Sequence, residues 1–400
     1  MNLHQVTGHD LHKPRKLHNR VEAQIKQYVK EHNLDTGTQL PTEAEFCTLF
    51  KVSRSTVRHA LQRLENEGLI NRTRGRGTFL IDPAQANRET LAEPAADRGA
   101  RNRNVIGVVL SYASEIDVMQ TAILRGVEHA VKSRGCNLIA GRTDDWDEAG
   151  EARVIADLYR LGVGGFIILP IANRTTTCGV RSLVEQKTPV LLVDRYLSDL
   201  DTNYVVSDNF AGSYSATEHL ILLGYRSFAY LLDQAEGPAG EMLLTTSIRD
   251  RYAGYCQALR DYQLAEMVRP PYPVDHTSKE AVRRMVADLR ADSAAVPALV
   301  AQNDHLATEV INTGAKVGLR PPDDYAIVGF DDLPFASRLL VPLTTVSQQR
   351  YEIGFRAGHL LMDKIAGHAV RTEKVSLLVS LIVRESCGAH RRVQATAAYS

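Results

Sequence analysis

Two sets of residues in this 400-residue sequence carry the side chains for chemistry. In the first, Ser53, Arg54, Ser55 and Arg58 crowd hydroxyls and cations into the run SRSTVR, and Arg72, Arg74 and Arg76 are interleaved with Gly75 and Gly77 in RTRGRG. Hydroxyls and guanidinium groups at a helix start reach base edges and phosphates in a DNA major groove. Arginines on a flexible loop suit phosphates or a narrow minor groove. In the second set, Arg195, Asp208, Asn303, Asp304 and Asp331 stand at or just beyond the ends of apolar runs, and Arg251 lies one turn into a helical stretch that starts at Ser247. Carboxylates, amides and guanidinium groups can each bond two neighbouring hydroxyls, which is what a sugar ring presents. Tyr112, at the end of the first apolar run, adds a ring or hydroxyl contact, and Trp146, in an acidic loop, is a weaker stacking candidate.

Other chemistries find less support. The sequence has no P-loop, no Gly-x-Gly-x-x-Gly after a first strand and no Gly-x-Ser-x-Gly elbow. Ser213 and Ser215 fit helix capping better than nucleophilic roles, and Asp144, Asp145 and Asp147 read as a solvated loop. An enzyme using a two-lobed cleft is the alternative of a different class, with no catalytic residue to assign to it. The five cysteines, Cys47, Cys136, Cys178, Cys256 and Cys387, are far apart, and the 13 histidines are scattered, so no metal and no cofactor are expected. No apolar run is long enough to cross a bilayer and the first residues form no signal core, so the expected location is the cytoplasm, away from membranes.

Each set needs elements to hold it. Val21, Ile25, Tyr28 and Val29 give one apolar helical face, and LPTEAEFCTLF gives a second helix started by Pro41 and Thr42. After a short turn at Lys51 and Val52, Ser53 caps a third helix with Val57, Ala60, Leu61 and Leu64 inward and Arg54, Ser55, Arg58 and Gln62 outward. GLINRTRGRGTFL follows as a hairpin. Residues 1–83 hold 13 Lys and Arg against 9 Asp and Glu, a net of +4 in a chain whose total is +0. The basic charge is local to this unit, which suits nucleic acid.

Residues 84–103 are rich in Ala, Pro, Gly and charge and read as a linker. Beyond them VIGVVL, NLIAG, GGFIILP and VLLVD are continuous apolar runs, as strands buried on both faces must be, and helical stretches separate them. The pattern restarts at YVVSD and continues through SFAYLLD, ALVAQN and YAIVGFDD. The expected architecture is a small winged helix-turn-helix (α+β) unit over 15–83, then a two-lobed α/β domain with parallel sheets over 104–388. Ligands of such sheets bind beyond the carboxyl ends of the strands, which places a cleft between the lobes.

The phrases LPTEAEF, VSRSTVRHALQRLENEGLI and RTRGRGTFL resemble the signature of the GntR family of winged-helix regulators. The resemblance implies that Ser53, Arg54, Ser55, Thr56 and Arg58, with Arg74, Gly75, Arg76 and Gly77 of the wing, contact double-stranded operator DNA. Ala44 stands where many members of that family carry Arg. VIGVVL, PVLLVDR, VVSDNFAGSYSATEHLILLGY, SIRDRYAGY, LVAQND, AIVGFDD and PLTTVSQ resemble the sugar-binding domain of the LacI family and of periplasmic sugar-binding proteins. That resemblance makes Arg251 and Asp331 the leading ligands of sugar hydroxyls, followed by Asn303, Asp304 and Gln348. The pairing of the two modules is similar to the arabinose-repressor family. It implies a homodimeric repressor released from its operator by a pentose such as L-arabinose, with another sugar or a nucleoside as the alternative effector.

Overall fold

The computed structural model describes residues 14–32, 34–66, 69–73, 77–80, 102–112, 118–144, 148–171, 177–233, 245–291, 295–368 and 371–390. The chain divides into two compact units, residues 1–99 with 147–157, and residues 100–146 with 158–400.

In the first unit, helices α1 (Pro14–Glu31), α2 (Glu43–Phe50) and α3 (Arg54–Asn66) precede a hairpin of β1 (Ile70–Thr73) and β2 (Gly77–Leu80). Val21 and Ile25 of α1, Phe46 of α2, Val57, Ala60, Leu61 and Leu64 of α3 and Ile70 of β1 form one buried core. These are the residues the helical spacing turns inward. Thr38 and Leu40 bond the backbone of β2, which adds a third extended segment to the hairpin. Gly77 needs to be glycine: its φ is +120°, and a Cβ there would lie 2.4 Å from Gln39 Nε2.

The second unit contains two six-stranded sheets. The first joins β3 (Asn102–Tyr112), β4 (Asn137–Asp144), β5 (Val163–Ile168), β6 (Val190–Val193), β7 (Asn203–Ser207) and β13 (Lys374–Leu377) in the order β13-β7-β6-β5-β3-β4. The second joins β8 (Phe228–Asp233), β9 (Tyr272–Val274), β10 (Ala298–Ala301), β11 (Ala326–Asp331), β12 (Thr344–Ser347) and β14 (Ser380–Ile382) in the order β14-β12-β11-β10-β8-β9. The two orders are the same winding. Within these sheets the pairings are parallel except that of β12 with β14.

The helices between these strands in the sequence are α4 (Val118–Ser133), α5 (Glu148–Arg160), whose residues up to 157 group with the first unit, α6 (Cys178–Glu185), α7 (Asn209–Leu222), α8 (Thr246–Asp261), α9 (Lys279–Ala291), α10 (Asp304–Ala315) and α11 (Arg350–Ile365). In the first lobe Ile106, Val108, Ile167, Leu191 and Val193 pack under Ile123 and Val127 of α4 and Ile353 and Leu361 of α11. In the second, alternate residues divide between two faces. Tyr230, Val328 and Phe330 lie under α7 and α8, and Leu231, Leu299 and Ile327 lie under α9 and α10. Burial on both faces is what made these strands continuous apolar runs.

The lobes are not consecutive pieces of chain. YVVSD, read from sequence as the opening of the second lobe, pairs with β6 and β13 in the first sheet. Helix α11 and β13 likewise return to the first lobe after β12, so the chain crosses between lobes near Asp208, near Gln348 and again between Leu377 and Ser380. Hydrogen bonds tie the three crossings together: Ser207 Oγ donates to Gln348 Oε1 at 2.6 Å, Asp208 N to Leu377 O at 2.8 Å, and Gln349 Nε2 to Leu378 O at 2.9 Å.

Candidate DNA-binding and effector sites

The head positions its basic helix through local capping. Thr42 caps α2 in a capping box: its backbone N–H donates to Glu45 Oε2 at 2.7 Å, and Glu45 N donates to Thr42 Oγ1 at 3.3 Å. The Thr42 N–H, with the Thr42 hydroxyl that donates to the same oxygen at 2.9 Å, holds the Glu45 carboxyl below its ordinary pKa. Lys51 closes the helix in the left-handed region, with φ 53°, and turns the chain toward α3. Ser53 then caps α3, its Oγ accepting from Thr56 N at 3.3 Å.

The α3 residues expected to touch DNA divide by burial. Arg54 and Arg58, four residues apart, have side chains 71% and 59% exposed. Thr56 is buried and its hydroxyl lies 2.8 Å from that of Ser53, so it braces the cap instead of facing outward. Ser55 stands in the first turn of α3 and Gly77 opens β2. Arg74, Gly75 and Arg76 fall outside the described residues.

In the second unit the strand ends gather a network at the cleft. Arg251, in the second turn of α8 and 6% exposed, donates from Nε to Asn209 Oδ1 at 2.8 Å and from Nη1 to Gln302 O at 2.6 Å. Its Nη2 lies 3.5 Å from Asp331 Oδ1, and its guanidinium lies 3.7 Å from the centre of the Phe330 ring. Asp331, the last residue of β11, is buried with φ 125°. Its Oδ1 also accepts from Gln348 Nε2, and its backbone carbonyl accepts from Arg350 Nη2. Burial pushes the Asp331 carboxyl up, Arg251 and Arg350 pull it down, and Asp194 raises it again. One carboxylate thus joins an α8 guanidinium to the crossing at Gln348.

The remaining expected ligands take more local partners. Asp208 caps α7 by accepting from Ala211 N at 2.9 Å, and Asn303 caps α10 by accepting from Leu306 N at 2.9 Å. Asp304 is fully buried: Oδ1 accepts from Thr345 Oγ1 at 2.5 Å and Oδ2 from Leu333 N at 2.8 Å. Both oxygens therefore brace the second lobe. Arg195 turns back on Asp194 at 3.4 Å. Tyr112 ends β3 beside Asp144, and Trp146 falls outside the described residues.

Several participants were missed from sequence. Asn209, which bonds Arg251, and Asp194, whose charge acts on Asp331, were not among the residues singled out. The usable signal for Asp194 was repetition, since VLLVD and IVGFD end alike in the two halves. Tyr196, two residues beyond Asp194, bridges the lobes. It exchanges backbone bonds with Thr246 Oγ1 at 3.0 and 2.7 Å, its hydroxyl donates to Asp250 Oδ2 at 3.0 Å and accepts from Arg249 Nη2 at 2.8 Å, and its ring stacks on Tyr204 at 4.8 Å.

Comparison with known proteins agrees with this division. Residues 17–80 match the model of bacterial regulatory proteins of the gntR family, and residues 217–387 match that of a periplasmic binding protein-like domain. The chain is 27% identical over 379 residues to the arabinose metabolism transcriptional repressor of Geobacillus stearothermophilus, covering 92% of this chain and 96% of that one. It is 28% identical over 265 residues to the ribose operon repressor of Halalkalibacterium halodurans, covering 66% and 74%. A LacI family transcriptional regulator from Enterococcus faecium, solved with bound ribose, superposes with a TM-score of 0.56 at 27% identity, over 70% of this chain and 98% of that one. Among the described residues no helix is long and apolar enough to cross a membrane. By these matches the chain is a transcription regulator that joins a DNA-binding domain of the gntR family to a periplasmic-binding-protein-like domain.

Proposed function

We propose that the protein is a cytoplasmic, homodimeric repressor whose hold on a roughly palindromic operator is released by a pentose, with L-arabinose first and ribose second. The observation that carries the effector reading is the Arg251–Asp331 pair at the strand ends of the cleft. It matches the need of a polyol for a donor and an acceptor fixed side by side. Relatives named as arabinose and ribose repressors support the choice of sugar.

In this reading Asp331 accepts a ring hydroxyl while remaining N–H groups of Arg251 donate to its neighbour. Asn209 and Gln348 hold the pair in place, and Arg195, Asp208, Asn303 and Tyr112, all at strand ends, are further contacts. Asp304 serves by bracing the loop after β11. Arg54 and Arg58 read the operator together with Ser53, Ser55 and the wing residues Arg74, Gly75, Arg76 and Gly77. The three tied crossings form the hinge. Because Gln348 belongs to one crossing and also bonds Asp331, occupancy of the site biases the hinge directly.

Thermal melting of the purified protein with L-arabinose, D-ribose, glucose and nucleosides tests the effector, since a ligand of the native state raises the melting temperature by mass action. A shift with a pentose, followed by loss of operator binding at the same concentration, is the expected result. A shift with nucleosides alone would sink the pentose reading. Tighter operator binding with the sugar would reverse the sign of regulation.

A further inference from the structure

We infer that Glu43 is a positioning residue for DNA readout, holding Arg54 and Arg58 in one arrangement on the outer face of α3. The inference rests on the operator-binding reading above. Glu43 is the first residue of α2 and its side chain is only 14% exposed, beneath two arginines that are mostly exposed. Oε2 accepts from Arg54 Nε at 3.1 Å and from Arg58 Nη2 at 3.3 Å, and Oε1 accepts from Arg58 Nε at 3.4 Å. Both guanidinium groups are therefore gripped on the Nε side, and their other N–H groups remain for bases or phosphates.

Two consequences follow from elementary electrostatics. Cations four residues apart on one helical face repel, and each arginine samples many rotamers unless it is anchored. A carboxylate between them removes the repulsion and fixes both side chains before DNA arrives, which favours base contacts that demand exact geometry. The same carboxylate halves the local positive charge, which weakens the sequence-independent pull of the phosphates. Glu43 thus raises the ratio of specific to nonspecific binding. Ion pairs whose cations are as exposed as Arg54 and Arg58 contribute little to folding stability, so the effect of Glu43 belongs to recognition.

The test uses the full-length protein with a duplex that the wild type selects from a randomised library and a scrambled duplex of the same length. For Glu43→Gln, affinity for the selected duplex falls about tenfold, in the range of one lost bidentate base contact. Affinity for the scrambled duplex stays level or rises, with a steeper salt dependence, and the melting temperature is unchanged. Glu43→Asp keeps the charge but shortens the reach. It returns the scrambled-duplex affinity to the wild-type value while selected-duplex binding stays weak. Parallel loss on both duplexes, no change on either, or full restoration by Asp would each overturn the inference. A wild type that selects no sequence at all would instead overturn the operator reading on which it rests.

Discussion

Asp194, one residue past β6, and Asp331, the last residue of β11, stand at the ends of equivalent strands of the two lobes, both in positive-φ backbone, and the charge of Asp194 raises the Asp331 carboxyl. Like charges at such a site need counterions. Arg195 supplies one to Asp194, and Arg251 and Arg350 supply them to Asp331. Three arginines thus stand against two carboxylates, and each carboxylate has a cationic partner before any effector enters.

The two units should be separable by mutation. Asp331→Asn weakens the acceptor and its tie to Arg251, so effector affinity falls by about a hundredfold, as for a site left with a mispaired buried polar group. Arg58→Ala does the converse, removing operator binding while leaving effector affinity intact. Isothermal titration with the effector and gel shift with the operator, run on both proteins, check this pairing. Loss of both functions in either variant would remove the support for the assignment.

The first lobe depends on a glycine contact that composition does not reveal. Helices α4 and α11 touch backbone to backbone: a Cβ on Gly354 would lie 1.9 Å from Ile123 O, and one on Gly126 would lie 2.1 Å from Tyr351 O. Alanine in an exposed helix interior is worth about 1 kcal/mol over glycine. Here Gly354→Ala should instead destabilise by about 1–3 kcal/mol or more, because the helices must part. Denaturant unfolding gives the sign at once, and a stabilised variant would show that the helices do not pack this closely.

Much of this fold was legible because parallel strands covered on both faces need unbroken apolar runs, as in VIGVVL and VLLVD. The lobe crossings were not legible. YVVSD has the same local pattern whichever sheet receives it, and only its register with Tyr204 against Lys374 and Leu192 assigns it to the first. The site divides in the same way. Asp331 stood out as a charge at the end of an apolar run and Arg251 as one a turn into a helix, and the family resemblance ranked them first, but Asn303 and Asp208 are cap residues whose side chains satisfy backbone N–H groups, a role that sequence alone does not separate from ligand binding.

Asp304 makes stability depend on pH in an unusual direction. Burial, followed by the charge of Asp331, pushes its carboxyl up to about 7. In the unfolded chain an aspartate titrates near about 3.9. Between these values the native state holds a proton that the unfolded state has released, so the stabilisation is full below the unfolded value and is lost as pH rises through about 7. Asp304→Asn, uncharged throughout, should melt several degrees above the wild type at about pH 8, and the gap should narrow toward about pH 5. A gap of constant size across that range would mean that the carboxyl titrates normally.

Tyr196 offers the sharpest test of cleft closure. Its hydroxyl reaches across the cleft to Asp250 and Arg249 at the start of α8, while its ring stays stacked on Tyr204 within its own lobe. Tyr196→Phe keeps the ring and the backbone bonds to Thr246 and removes only the hydroxyl's bonds to Asp250 and Arg249. A hydrogen bond to a charged partner contributes about 1.5 kcal/mol or more, so effector affinity should fall by roughly tenfold. If the clasp forms only on closure, operator affinity without effector should not fall. Coupling between two sites is reciprocal in binding free energy. If closure is what releases the operator, the effector concentration for half-release must therefore rise by the same roughly tenfold factor. Titrating operator release against effector in both proteins measures that factor. A weaker effector affinity with an unmoved release midpoint would separate binding from closure and exclude the clasp from the regulatory step.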